Sequence, residues 1–504
     1  MDYFREIQNY ILSPCFYNVN LLIAALIPLL SAIIIFFTGR RQQISNKVAI
    51  ASSVLLFIYI YKYIAMSIGI ESQFILMDFG NNLHISLKLE PEGIIFSLLV
   101  SFLWMLTSVY SVYYMKINYP GKNYSGFLCF LSLSIGCTIF IAFSGDLLTT
   151  FVFYEFLTLS TYPLVTYNAT RESIIAGRYY LGVLFFSSLV LFFPAIGLLY
   201  SKFNTLDFQP NGIFNFDSTL VTFAAVCFAM LIYGIGKAAL MPMHFWLPKA
   251  MVAPTPVSSL LHAVAVVKSG AFIIIKIIFY VFGIDNLQRF MGLVGGWLPY
   301  AAGFTIIAAS LLALKQRELK KLLAYSTISQ LSYIILFASV FSKDSIVIAI
   351  CQLVYHAFAK ITLFFVAGII ITRTGEKYID RMHGIGRSMP ITMLAFTVGA
   401  SSMIGVPPAP VFWNKFFFLI DIFHSGNTQL FVFVVLVLII STLLNALYFL
   451  PIIYHAFFSK SSQNLFMKKV STFLIIPPIV TAICTLIAFF YGPFIFAYCS
   501  SFYI

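Results

Sequence analysis

The sequence predicts an all-α polytopic membrane protein of about 14 transmembrane helices, and three observations carry that prediction. Of 504 residues, 61% are hydrophobic and 9% charged, with a mean hydropathy of +0.96, whereas soluble domains carry roughly a quarter charged residues. The apolar runs are about twenty residues long, enough for a helix to span roughly 30 Å of hydrocarbon, and they lack the alternation of an outer-membrane barrel. Basic residues are concentrated in every second loop.

The apolar segments centre near residues 28, 58, 103, 134, 157, 189, 229, 269, 303, 332, 357, 405, 443 and 483. Loops after odd-numbered segments hold 19 of the 30 lysines and arginines, including Arg40 and Arg41, Lys320 and Lys321, and Arg381 and Arg387. By the positive-inside rule these loops face the cytoplasm and both termini face outward. The expected location is a bacterial cytoplasmic (inner) membrane, with an organellar inner membrane as the alternative. No small-residue cleavage site follows a short apolar core at the N-terminus, so no removable signal peptide is expected.

The net charge of +13 belongs largely to the loops of one side and argues for no nucleic-acid partner. The seven cysteines form no CxxC pair, so neither a metal site nor a disulfide framework is expected. Nothing in the chain binds a nucleotide, flavin or iron–sulfur cluster, and no cofactor is expected. Residues 1–504 read as a single membrane domain. Within it, 1–124 hold helices 1–3, 125–282 and 290–457 hold two five-helix units, and 470–504 hold a C-terminal helix.

Six lysines and one glutamate lie inside apolar segments: Lys62, Lys237, Lys268, Lys276, Lys360, Lys415 and Glu155. A charge at a helix centre costs about 2.5–3.5 kcal/mol on insertion scales, so these are the functional candidates. The competing reading is snorkelling, in which a long side chain near a helix end reaches the interface. Lys276, near the outer end of its helix, is expected to snorkel, and Lys62 fits either reading.

Segment five, GDLLTTFVFYEFLTLSTYPLVTY, contains Glu155 as its sole interior acid. To stay ionised there it needs a cation, and Lys237 is the natural one; the alternative is a protonated carboxyl bonded within the bundle. Asp146, nine residues earlier and near the outer surface, reads as solvated. From Tyr233 to Ile275 the chain places Pro242, Pro248, Pro254 and Pro256 between Lys237 and Lys268. Proline removes a backbone donor and clashes with the preceding turn, which a bilayer tolerates only where protein or a wet cavity satisfies the freed carbonyls.

In segment eleven, His356 and Lys360 are four residues apart on one helical face, and Gln352 extends the stripe by a turn. A neutral histidine beside a lysine can take and pass a proton; a structural hydrogen bond is the alternative. Segment twelve is interrupted by Gly405, Pro407, Pro408 and Pro410, and Lys415 follows. Two interrupted helices, each with a lysine at the break and five segments apart, point to inverted repeats of helices 4–8 and 9–13 around a midplane ion site.

Together, FYEFLTLSTY, GKAALMPMHFWLPKAMVAPTPVSSLLHA, VVKSGAF, LKKLLAYSTISQLSY, HAFAK and PPAPVFWNKF resemble the large antiporter-like subunits shared by Mrp-type monovalent cation/proton antiporters and respiratory complex I. The resemblance implies an ion pair of Glu155 and Lys237 beside a broken seventh helix. It also implies a midplane axis with Lys268 at its centre, His262, His356 and Lys360 as relays, and Lys415 as the terminal proton site. Gln352 stands where some relatives have a second relay histidine.

Lys415, where the M-type subunit of complex I would have a glutamate, and an end at Ile504 without a long lateral helix make the chain most similar to an Mrp D subunit. The implied partners are other membrane subunits, protons and a monovalent cation, with sodium expected. Two further readings stay open, a proton-pumping subunit of NADH-quinone oxidoreductase and a structural homologue that transports nothing.

Overall fold

The computed structural model describes residues 14–64, 73–213, 220–260, 264–459 and 469–501, so His262 lies outside the described residues. Among them, nine helices are long and apolar enough to cross a membrane, the longest being Arg171–Phe203, Lys343–Thr374 and Thr428–Phe458. Val221–Gly234, Leu298–Leu314 and Pro390–Ile404 are shorter apolar helices. A helix covers each predicted centre except the one near residue 405, where the chain breaks.

The helices Leu319–Ala338 and Lys343–Thr374 are buried along most of their length, and the others pack around them. Without a hydrophobic drive between helices in lipid, small polar side chains help to join them. Ser134 and Ser160 meet at 3.0 Å, and Thr362 and Thr481 at 2.6 Å.

One element departs from the all-helical expectation. Strands β1 (Gln73–Asp78) and β2 (His84–Lys88) form an antiparallel hairpin whose register slips between Ile75 and Met77. It lies over the start of the helix Leu147–Val165, with Gly145 N–H donating to the Ser86 carbonyl at 3.0 Å and Lys88 N–H to that of Phe143 at 2.7 Å. This corrects the reading of Asp146 as solvated, because the hairpin excludes water from it. Asp146 is buried, caps its helix by accepting from Thr149 N–H at 2.6 Å, and also accepts from the Ser86 hydroxyl at 2.7 Å. We call this end of the bundle the hairpin face and the opposite end, with the basic loops, the basic face.

Both proline-marked interruptions are real breaks. The helix Val221–Gly234 gives way to a single 3-10 turn, Gly236–Ala238, then to Ala239 at φ +56° and a cis bond before Pro242. The helix Pro390–Ile404 stops at Gly405 with φ +84°, passes a cis Pro407–Pro408 bond and restarts as Val411–His424. Freed carbonyls find partners inside the bundle: Trp246 Nε1–H donates to Gly236 at 3.0 Å, and Lys415 Nζ to Ile404 at 2.9 Å.

Candidate functional site

The 3-10 turn delivers Lys237 into the bundle, fully buried. Its Nζ donates to the Tyr154 carbonyl and to Thr158 Oγ1, both at 2.6 Å, and lies 3.0 Å from the centroid of the Tyr154 ring. The Lys237 backbone N–H donates to the Tyr154 hydroxyl at 3.2 Å. Tyr154 and Thr158 are four apart and share one helical face, whereas Glu155 is turned about 100° from Tyr154. The expected pair therefore stands apart, with no ion pair at 4.0 Å or less between Glu155 and Lys237. Both Glu155 carboxylate oxygens are shielded from water, the Lys237 charge acts on them, and the Ser188 hydroxyl is the polar group beside them.

The helix Val266–Lys276 sits directly on the Lys237 turn. A Cβ built on Gly270 would lie 2.4 Å from Ala238 N and 2.6 Å from the Lys237 carbonyl carbon, so only glycine permits this approach. Lys268, two residues earlier, is fully buried, and its charge acts on both His356 and Lys360. His356 and Lys360 are themselves fully buried, about 6 Å apart along the helix axis. Neither imidazole nitrogen of His356 nor Lys360 Nζ has a hydrogen-bond partner.

Between these groups and Lys415 lies a chain of amides. Asn414 Nδ2 donates to Gln352 Oε1 at 3.0 Å, Gln352 Nε2 to Gln330 Oε1 at 3.0 Å, and Gln330 Nε2 to the Met403 carbonyl at 3.2 Å. Asn445 Nδ2 donates to the same carbonyl at 3.1 Å. Lys415, next to Asn414, reaches back to the Ile404 carbonyl and to Thr442 Oγ1 at 2.7 Å, and stands 5.5 Å from the Tyr333 ring.

The sequence reading did not single out Gln330, Asn414 or Asn445, because neutral amides carry no charge signal. Lys62 is exposed, outside this line. Lys276 does not snorkel: it is fully buried and paired with Glu90 at 2.6 Å, because Glu90 at the start of Pro91–Asn118 meets it below the hairpin. Glu90 too was missed, since an acid before a helix-starting proline reads as a cap.

Lys237, Lys268, His356, Lys360 and Lys415 are thus five buried basic groups, each able to hold one proton, distributed over the two helix breaks, the helix Val266–Lys276 and the long helix Lys343–Thr374. A chain with this fold and this interior is an integral membrane protein of antiporter-like build. Residues 144–441 match the family described as NADH:quinone oxidoreductase/Mrp antiporter, TM, and the chain belongs to it.

NADH-quinone oxidoreductase subunit N of Desulforudis audaxviator is 32% identical over 378 residues, 74% of this chain and 73% of that protein. Na(+)/H(+) antiporter subunit A1 of Staphylococcus aureus is 28% identical over 500 residues, 91% of this chain and 60% of that protein. The chain spans about half the length of several chloroplast NAD(P)H-quinone oxidoreductase subunit 5 relatives. A chain of the archaeal membrane-bound sulfane sulfur reductase complex superposes with a TM-score of 0.81 over 95% of this chain and 97% of its own; at 24% identity it bears on the fold alone.

Proposed function

We propose that this chain is the proton-translocating membrane subunit of a multisubunit monovalent cation/proton antiporter, with sodium as the exchanged cation. It sits in a bacterial cytoplasmic membrane among other membrane subunits, with the basic face inside and both termini outward. The observation that carries this reading is the interior line of Lys237, Lys268, His356, Lys360 and Lys415, five basic groups all buried in the bundle around its two helix breaks.

Lysine suits the task because its proton can leave, whereas arginine stays charged. An anion close by holds an ammonium charged; when the anion withdraws, the proton passes on. In this arrangement Glu155 is the movable anion, Lys237 the group it controls, and Lys268 the next holder. His262, His356 and Lys360 then relay to Lys415. The parted state of Glu155 and Lys237 fits the moment after the anion has withdrawn.

The test is cation-coupled proton movement in everted vesicles. Lys237→Ala and Glu155→Ala should each abolish it while the protein stays in the membrane, and full activity in either variant refutes the switch.

The second reading is a proton-pumping subunit of NADH-quinone oxidoreductase. The 32% identity with a subunit N, covering 73% of that protein, favours it. NADH-dependent quinone reduction by the purified native complex, with flavin and iron present, would select this reading over the antiporter.

A further inference from the structure

The Lys276–Glu90 pair belongs to none of the assignments above. Both of its side chains are buried. Lys276 Nζ is 2.6 Å from Glu90 Oε2, donates to the Ser144 carbonyl at 2.5 Å and lies 4.2 Å from the Phe208 ring centroid. The other Glu90 oxygen is 3.9 Å from Lys88, whose side chain is 23% exposed at the hairpin face and donates to the Phe208 carbonyl at 2.9 Å. Glu92, also buried, acts on Glu90 from the same helix. A polar path therefore runs from the hairpin face to Lys276.

Inward from Lys276 the surroundings turn apolar. Lys268, Phe272 and Lys276 follow one another at four-residue steps on one helix, within an arc of about 80° and with about 6 Å of rise per step. Phe272 stacks on Phe96 with centroids 4.7 Å apart and planes at 22°, and both rings are buried. Phe96 is itself six residues along from Glu90 on the helix that faces Lys276. The two helices run in opposite senses here, so one contact layer is Glu90 with Lys276 and the next is Phe96 with Phe272.

We propose that these two layers form a gate between Lys268 and the hairpin face, with the stacked rings as the barrier and Glu90–Lys276 as the proton-passing site. The inference rests on the proton-translocating reading above. When the rings part and admit water, Lys268 passes a proton inward-to-outward through that water to the neutral Lys276 amine. Lys276 had earlier given its proton to the Glu90 carboxylate, making an amine and a carboxylic acid. Glu90 then releases that proton to water beside Lys88, and the ionised pair is restored. Two charges withdrawn from water recover little net stability from each other, so anchoring alone is a poor reason for this pair.

The test uses everted vesicles carrying the full set of subunits and reads two quantities for each variant, coupled proton transport and the passive collapse of an imposed pH gradient without exchangeable cation. Phe272→Ala should speed the passive collapse by ten-fold or more, whereas Phe272→Leu should stay as tight as wild type. Glu90→Gln should remove coupled transport without a leak, and adding it to Phe272→Ala should return the collapse towards the wild-type rate.

A tight Phe272→Ala at wild-type protein level, or wild-type coupled transport in Glu90→Gln, overturns the gate. If Phe272→Ala does not accumulate, Phe272→Val and Phe96→Val take its place with the same expected leak. Wild-type vesicles that move no protons in response to a cation would instead refute the function proposed above, while the passive measurement still reads the barrier.

Discussion

Lys237 rests on Tyr154 and not on Glu155. Its ammonium bonds the Tyr154 carbonyl at 2.6 Å and lies 3.0 Å from the ring centroid, while the adjacent Glu155 carboxylate forms no ion pair with it at 4.0 Å or less. Backbone carbonyl, hydroxyl and aromatic face thus supply the negative potential that a carboxylate would otherwise give. A cation over a ring gains about 2 kcal/mol or more when both are desolvated.

Thr158→Val removes the hydroxyl acceptor of Lys237 and keeps the shape of the side chain. A hydrogen bond to a charged group is worth roughly 1.5–3 kcal/mol, so the variant should lower coupled proton transport by on the order of ten-fold. Transport in vesicles with immunoblot-matched protein reads the effect; unchanged transport would mean that Thr158 does not hold the proton-bearing state.

Gln352, one helical turn from His356, accepts from Asn414 and donates to Gln330, and therefore ties the His356 helix to the neighbourhood of Lys415. Gln352→Leu strands both partners, each at about 1–3 kcal/mol, and should lower the melting temperature of the detergent-solubilised protein as well as transport. Gln352→His restores polar contact and adds a group that can itself carry a proton, so its transport should equal or exceed that of wild type. A histidine variant as impaired as the leucine variant would place the proton path elsewhere.

Gly270→Ala puts a carbon 2.4 Å from Ala238 N, and backbone must move to relieve it. Overpacking of this kind costs about 1–3 kcal/mol. Because the displaced backbone is the turn that carries Lys237, a lower melting temperature should come with lost transport. Intact transport at a lowered melting temperature would uncouple the turn from proton movement.

Much of this architecture is legible in the letters because lipid imposes simple rules. Apolar length gives the helices, and prolines beside Lys237 and Lys415 mark both breaks. Charge inside a segment identifies Lys268 and Lys360 with no knowledge of packing.

Where the reading failed, a short stretch near a helix end was covered by something else. Residues 73–88 alternate too briefly to outweigh the surrounding helical pattern, so the hairpin was missed. With it went the burial of Asp146 and the pairing of Glu90 with Lys276. The separation of Glu155 from Lys237 was beyond sequence for another reason: both types occur where expected, but which face of the Leu147–Val165 helix meets the turn is decided by packing.

Lys415 folds back onto the carbonyl of Ile404, the last residue before the break in its own helix pair, with Gly405 leaving room for its stem. Its counter-charge is the end of a helix, where aligned peptide dipoles concentrate roughly half a negative charge. Unlike a carboxylate, that partner has no proton-accepting chemistry of its own. A proton held at Lys415 can leave only by moving onward, because it cannot collapse onto the group that stabilises it.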